Sequence, residues 1–165
     1  IRPDNFDAMA YVASQIGVPI ATGERLHDIH EFQALLRRDA VQYIRPDVCL
    51  SGGITHTKKI AAIAEANYVG VVPHNPLGPI STAACLQIAA SIPNFSIQEY
   101  PIGETEPPKN LMVKNPIKCE DGFLIIPDGP GLGIEVPDDI QDRVPRIPHG
   151  EVNARSHRDG AVIDQ

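Results

Sequence analysis

Four short apolar runs, each closed by one ionisable side chain, set the frame into which this chain can fold. They are Val18-Pro19-Ile20-Ala21-Thr22-Gly23-Glu24, Tyr43-Ile44-Arg45-Pro46-Asp47, Val69 to Pro73 followed by His74, and Phe95-Ser96-Ile97-Gln98-Glu99. An apolar run ending in a single titratable group is the pattern of a buried strand whose last residue reaches an open face. The tips Glu24, Asp47, His74 and Glu99 lie 23, 27 and 25 residues apart, the length of one strand-helix unit.

Helical stripes fill the intervals. Phe6, Met9, Ala10, Val12, Ala13 and Ile16 follow a capping Asp4 and end at Gly17. Asp28 caps a second stripe of Ile29, Phe32, Leu35 and Leu36, and the turn Gly52-Gly53 precedes a third, expected to start at Thr55 and to bury Ile60, Ala61, Ile63 and Ala64. After Asn75-Pro76-Leu77-Gly78-Pro79, a small-residue helix is predicted over 80–92. This alternation predicts parallel strands with right-handed crossovers, as in a (β/α)8 barrel or a doubly wound sheet. Both place functional groups at the carboxyl ends of strands. Four consecutive ionisable tips favour the barrel, where neighbouring tips converge on one mouth.

A barrel needs eight such units and about 250 residues, whereas this chain of 165 residues holds four strands and opens on a helix. The fold expected is therefore α/β, the carboxyl-terminal half of a (β/α)8 TIM-type barrel containing its last four strands. Residues 1–100 form that half. Residues 101–136 are an irregular, proline-rich excursion with two short strands, 121–127 and 133–136, around the turn Gly129-Pro130-Gly131. Residues 137–165 are polar and expected to be extended.

A net charge of -7 and the absence of Trp exclude a basic nucleic-acid or lipid-binding face and a base-stacking platform. No apolar run is long enough to span a bilayer. Cys49, Cys85 and Cys119 are odd in number and lack metal-type spacing, which fits a reduced, cytoplasmic protein. Cys49 and Cys85 read as small packing residues. His27 and His56 read as surface histidines, and His149 and His157 as non-catalytic residues of the tail.

Four ordered motifs carry a resemblance over residues 1–136: Ile20-Ala21-Thr22-Gly23-Glu24-Arg25, Arg45-Pro46-Asp47 with Gly52-Gly53-Ile54-Thr55, Pro73-His74-Asn75-Pro76-Leu77-Gly78-Pro79-Ile80, and Ile97-Gln98-Glu99. Together they resemble the enolase superfamily, in its mandelate-racemase subgroup, and are similar to acid-sugar dehydratases of galactonate dehydratase type. The segment 121–136 resembles that family's return to a capping domain.

The resemblance implies that Asp47 and His74 form a dyad. The Asp accepts the Nδ1 proton and leaves the other ring nitrogen as the base that removes the proton next to a substrate carboxylate. Glu24 is implied as one of three carboxylates holding Mg²⁺, which stabilises the enediolate, and Glu99 as a protonated carboxyl donating to the developing oxyanion. Arg25 is a candidate to hold Glu24 or substrate through a charge-assisted bond. The implied reaction is dehydration of a sugar acid to a 2-keto-3-deoxy acid. Racemisation, epimerisation or cycloisomerisation through the same enediolate, or a truncated non-catalytic fragment, are the alternatives. The expected partners are a small sugar-acid substrate, the amino-terminal half of the same protein with the other two metal ligands, and further copies in a homo-oligomer; nucleic acid and membrane are not among them.

Overall fold

The computed structural model describes residues 1–144; His149 and His157 lie outside the described residues. Helices and strands alternate through the first ninety residues: α1 (Phe6–Gln15), β1 (Ala21–Thr22), α2 (Ile29–Leu36), β2 (Tyr43–Ile44), α3 (Gly53–Ala66), β3 (Gly70–Val71) and α4 (Pro79–Ala89). The strands pair in parallel in the order β1-β2-β3, with Ala21 opposite Tyr43 and Tyr43 opposite Gly70. Sequential parallel neighbours joined by helices are the expected consequence of the repeating unit.

The strands are shorter than their apolar runs. Pro19, Pro46 and Pro73 have no N–H to give to a ladder, so regular pairing stops at them. Pairing is extended by single bonds, Arg45 N–H to Thr22 O at 2.8 Å and Val72 N–H to Ile44 O at 2.9 Å, and by the parallel bridge of Asp47 with His74. The fourth expected strand is reduced to a bridge between Val71 and Phe95. Val71 N–H donates to Asn94 O at 2.8 Å and Ser96 N–H to Val71 O at 2.9 Å, after which Pro73 offers no donor.

The helix caps shift in places. Asn5, not Asp4, caps α1, accepting from Ala8 N–H at 3.0 Å, and α3 starts at Gly53 rather than Thr55. Asp28 caps α2 as expected, and the structure adds a capping box: its carboxylate takes the N–H groups of His30 and Glu31, and Glu31 reaches back to Asp28 N–H. Helix and strand side chains share one buried cluster that includes Phe32, Leu35, Ile44, Ile60 and Val71, all 0% exposed. Burying one such side chain contributes about 1.5–3 kcal/mol.

Gly23, next to Glu24, sits at φ 130°, where an added Cβ would lie 2.7 Å from Phe32 Cε1 and 3.2 Å from Arg45 N. Gly23→Ala is therefore expected to destabilise the chain by about 1–3 kcal/mol in urea unfolding.

Beyond Glu99 come a 3-10 turn, Lys109–Met112, and an antiparallel hairpin of β4 (Cys119–Glu120) and β5 (Phe123–Leu124). The hairpin turns at Asp121 and Gly122, both with positive φ (51° and 83°), the two-residue geometry that favours Asp-Gly. The expected strands therefore move: pairing centres on Asp121-Gly122 rather than on Gly129-Pro130-Gly131. Residues 133–136 are not a strand but dock on Lys114 and Asn115, where Lys114 N–H donates to Glu135 O at 2.8 Å and Asn115 Oδ1 accepts from Glu135 N–H at 2.7 Å. The stretch expected to be extended from residue 137 contains one helical turn, α5 (Ile140–Arg143). No helix among the described residues is long and apolar enough to cross a membrane.

Candidate active site

Asp47 and His74 end adjacent strands and face each other. His74 N–H donates to Pro46 O at 3.1 Å, which fixes the register, and His74 Nδ1 lies 3.0 Å from Asp47 Oδ2. The Asp47 side chain is 2% exposed and that of His74 19%. Asp47 Oδ1 accepts from Cys49 N–H at 2.8 Å and Leu50 N–H at 3.3 Å, so its two oxygens have separate tasks. A carboxylate offers only acceptors, so the ring hydrogen facing Asp47 sits on Nδ1, and Nε2 is the nitrogen that Asp47 does not engage.

Glu99 joins the dyad through two residues not anticipated from sequence. Its Oε2 accepts from Arg45 Nη2 at 2.5 Å and from Asn75 N–H at 2.9 Å. Arg45 is two residues before Asp47 on the same strand, and Asn75 directly follows His74. Burial alone would raise the Glu99 carboxyl, but the Asn75 N–H, the Arg45 guanidinium and nearby His74 outweigh it and hold it below the usual carboxylate range. The protonated Glu99 expected from sequence is thus not the form this geometry favours. Oε1 makes no hydrogen bond among the described residues and is left for a proton or a ligand.

Glu24 stands apart. Among the described residues its carboxylate takes one hydrogen bond, from Gly23 N–H at 3.2 Å. No bond between Arg25 and Glu24 is formed, Arg25 being exposed, whereas Arg45 is the arginine that bonds Glu99. Mg²⁺ requires several hard oxygen ligands, whereas no cluster of three or more His, Cys, Asp or Glu residues among those described is placed to hold a metal. The residues present therefore do not by themselves fit the ion. Titration of this chain with Mg²⁺ is expected to show no saturation below about 1 mM; saturable binding in the micromolar range would reveal a complete site.

The remaining candidates behave as surface or packing groups, with one correction. His27 is exposed beside Glu31, 3.8 Å away, and His56 is half-buried at the start of α3. Cys85 is fully buried, and burial pushes its thiol up to about 12. Cys49 is exposed rather than packed, and contributes its backbone N–H to Asp47.

Parallel strand tips thus bring an Asp–His pair together, with the Glu99 carboxylate beside it, as at the carboxyl-end face of an α/β barrel. The chain belongs to the enolase C-terminal domain-like family, whose model matches residues 1–140. It is 36% identical over 159 residues to D-galactonate dehydratase of Xanthomonas oryzae pv. oryzae, covering 93% of this chain and 42% of that protein. A crystal structure of an enolase from Agrobacterium radiobacter, bound to Na and L-malate, superposes with a TM-score of 0.86 at 33% identity, over 98% of this chain and 44% of the other. A mandelate racemase/muconate lactonizing enzyme from Jannaschia sp. CCS1 gives a TM-score of 0.79 at 36% identity, over 86% and 36%. The chain thus spans about two-fifths of the length of the curated relatives it matches.

Proposed function

We propose that this chain supplies half of the active site of a Mg²⁺-dependent acid-sugar dehydratase. The observation that carries the reading is the 3.0 Å contact between His74 Nδ1 and a buried Asp47. His74 Nε2 takes the proton from the carbon next to the substrate carboxylate, and Asp47 holds the ring and stabilises the imidazolium. The electron pair forms an enediolate. Its collapse expels the 3-hydroxyl, which leaves as water once protonated, and the resulting enol becomes a 2-keto-3-deoxy acid.

Glu99 is the proposed donor to the developing oxyanion. Its ionised resting state can be reversed by an anionic substrate beside it, since a like charge raises a carboxyl. The 2-hydroxy acid and cation in the Agrobacterium relative support a site for a hydroxy-carboxylate. Mg²⁺ enters this proposal only as an ion that Glu24 would share with oxygen ligands from outside the chain.

An amino-terminal half is the proposed partner, and the exposed apolar side chains Val18 (69%) and Ile97 (65%) near the outer strand runs are surfaces it would cover. The chain on its own is then inactive. Three unpaired cysteines suit a cytoplasmic location. The test is a panel of sugar acids offered to the protein carrying this chain together with its amino-terminal part. Release of a 2-keto-3-deoxy acid from an aldonate such as galactonate is expected. Inversion at C2 without loss of water would instead establish a racemase.

A further inference from the structure

We propose that Glu104 is a positioning residue that stays a neutral carboxylic acid in the fold and, through Thr82 and Asn75, sets the place of Glu99 beside His74. Glu104 lies in the irregular segment after the last strand, yet it is 3% exposed, and the Thr82 and Asn75 it leads to are fully buried. Its Oε2 is 2.6 Å from Thr82 Oγ1. Thr82 Oγ1 in turn accepts from Asn75 Nδ2 at 2.7 Å. The other Asn75 Nδ2 hydrogen reaches Glu99 O at 3.2 Å, and Asn75 N–H donates to Glu99 Oε2. One connected path therefore runs from Glu104 to the main chain and side chain of Glu99.

The protons along this path decide the state of Glu104. Thr82 has one hydroxyl hydrogen and two acceptors in reach, Glu104 Oε2 and Gly78 O at 3.2 Å. An ionised Glu104 would claim that hydrogen and remain a buried carboxylate with a single donor, because its Oε1 is buried without a partner. A neutral Glu104 donates from Oε2 to Thr82, and Thr82 donates to Gly78 O, so every proton has an acceptor. Among the described residues no cation forms an ion pair with Glu104. Burial raises the carboxyl more strongly than the Thr82 hydroxyl and nearby Lys109 pull it toward ionisation. The Tyr100 hydroxyl, also near and buried without a partner, adds no charge. A buried acid without a counter-ion neutralises rather than ionises.

The positioning role rests on the proposed roles of His74 and Glu99; the protonation state does not. Two variants separate them. A raised folded-state carboxyl stabilises fully below its unfolded value, and that stability is lost as pH rises through the folded value. Glu104→Gln does not titrate and can donate to Thr82, so its melting midpoint relative to wild type is expected to rise by several °C between about pH 4 and pH 7.5. A gap that stays constant or shrinks over that range overturns the neutral assignment.

In the complete enzyme, Glu104→Gln is expected to keep kcat within about 3-fold, while Glu104→Ala lowers kcat by about 10- to 100-fold with KM little moved. Wild-type turnover by Glu104→Ala, or equal damage from both substitutions, overturns the positioning role. Failure of the dehydratase reading would show itself separately, as a wild type without turnover whose thermal signature is intact.

Discussion

Replacing His74 with Asn in the complete enzyme is expected to lower kcat by about 10³-fold or more, with KM changed only a few-fold. In the proposed reaction a base takes the proton from the α-carbon, and Nε2 of His74 is the nitrogen assigned to it. The Asn amide can still donate to Asp47 Oδ2, so the buried carboxylate keeps a partner and the fold is spared. The melting midpoint should therefore stay within a few degrees of wild type. A large kinetic loss with an unmoved midpoint separates chemistry from folding, and turnover near wild type would remove the dyad from the mechanism.

Asp47 carries the second large effect, and there the two substitutions to compare part company. Asp47→Ala removes the acceptor for Cys49 N–H, Leu50 N–H and His74 Nδ1 at once, which is expected to cost about 2–4 kcal/mol of stability as well as activity. Asp47→Asn keeps Oδ1 for the loop N–H groups but places an NH₂ against the imidazole. The ring must then turn Nδ1 into an acceptor and carry its proton on Nε2, where a base is needed. A kcat loss approaching about 10⁴-fold is expected, with a much smaller stability change than for Ala. Urea unfolding and steady-state kinetics on the same pair of variants check both halves.

The dyad was legible because both members close apolar runs one strand-helix unit apart, and parallel pairing brings such tips together. The Asp28 cap was legible for a related reason: it bonds N–H groups only two and three residues away. The place of Arg45 does have a sequence signal. In a strand, residues two apart share a face, so Arg45 points with Asp47. The Thr82–Glu104 contact left none, since it joins a helix to an irregular segment 22 residues away and no period relates them. The fourth strand was over-read because alternation in Phe95 to Glu99 says nothing of the donor its neighbour lacks at Pro73. Gly129-Pro130-Gly131 has the composition of a turn, but Asp121-Gly122 carries the stronger two-residue hairpin signature, and the chain pairs there. Gly129 serves the packing of the loop instead: a Cβ there would meet Gly133 Cα at 3.2 Å.

Proton removal by His74, the central step proposed, can be measured apart from elimination. A 3-deoxy aldonate keeps the C2 proton and hydroxyl but has no 3-hydroxyl to lose. Incubated with the complete enzyme in D₂O and followed by proton NMR, its C2 signal is expected to wash out with wild type and to persist with His74→Asn. A C2 signal that persists with wild type, or that washes out equally fast with His74→Asn, would contradict it.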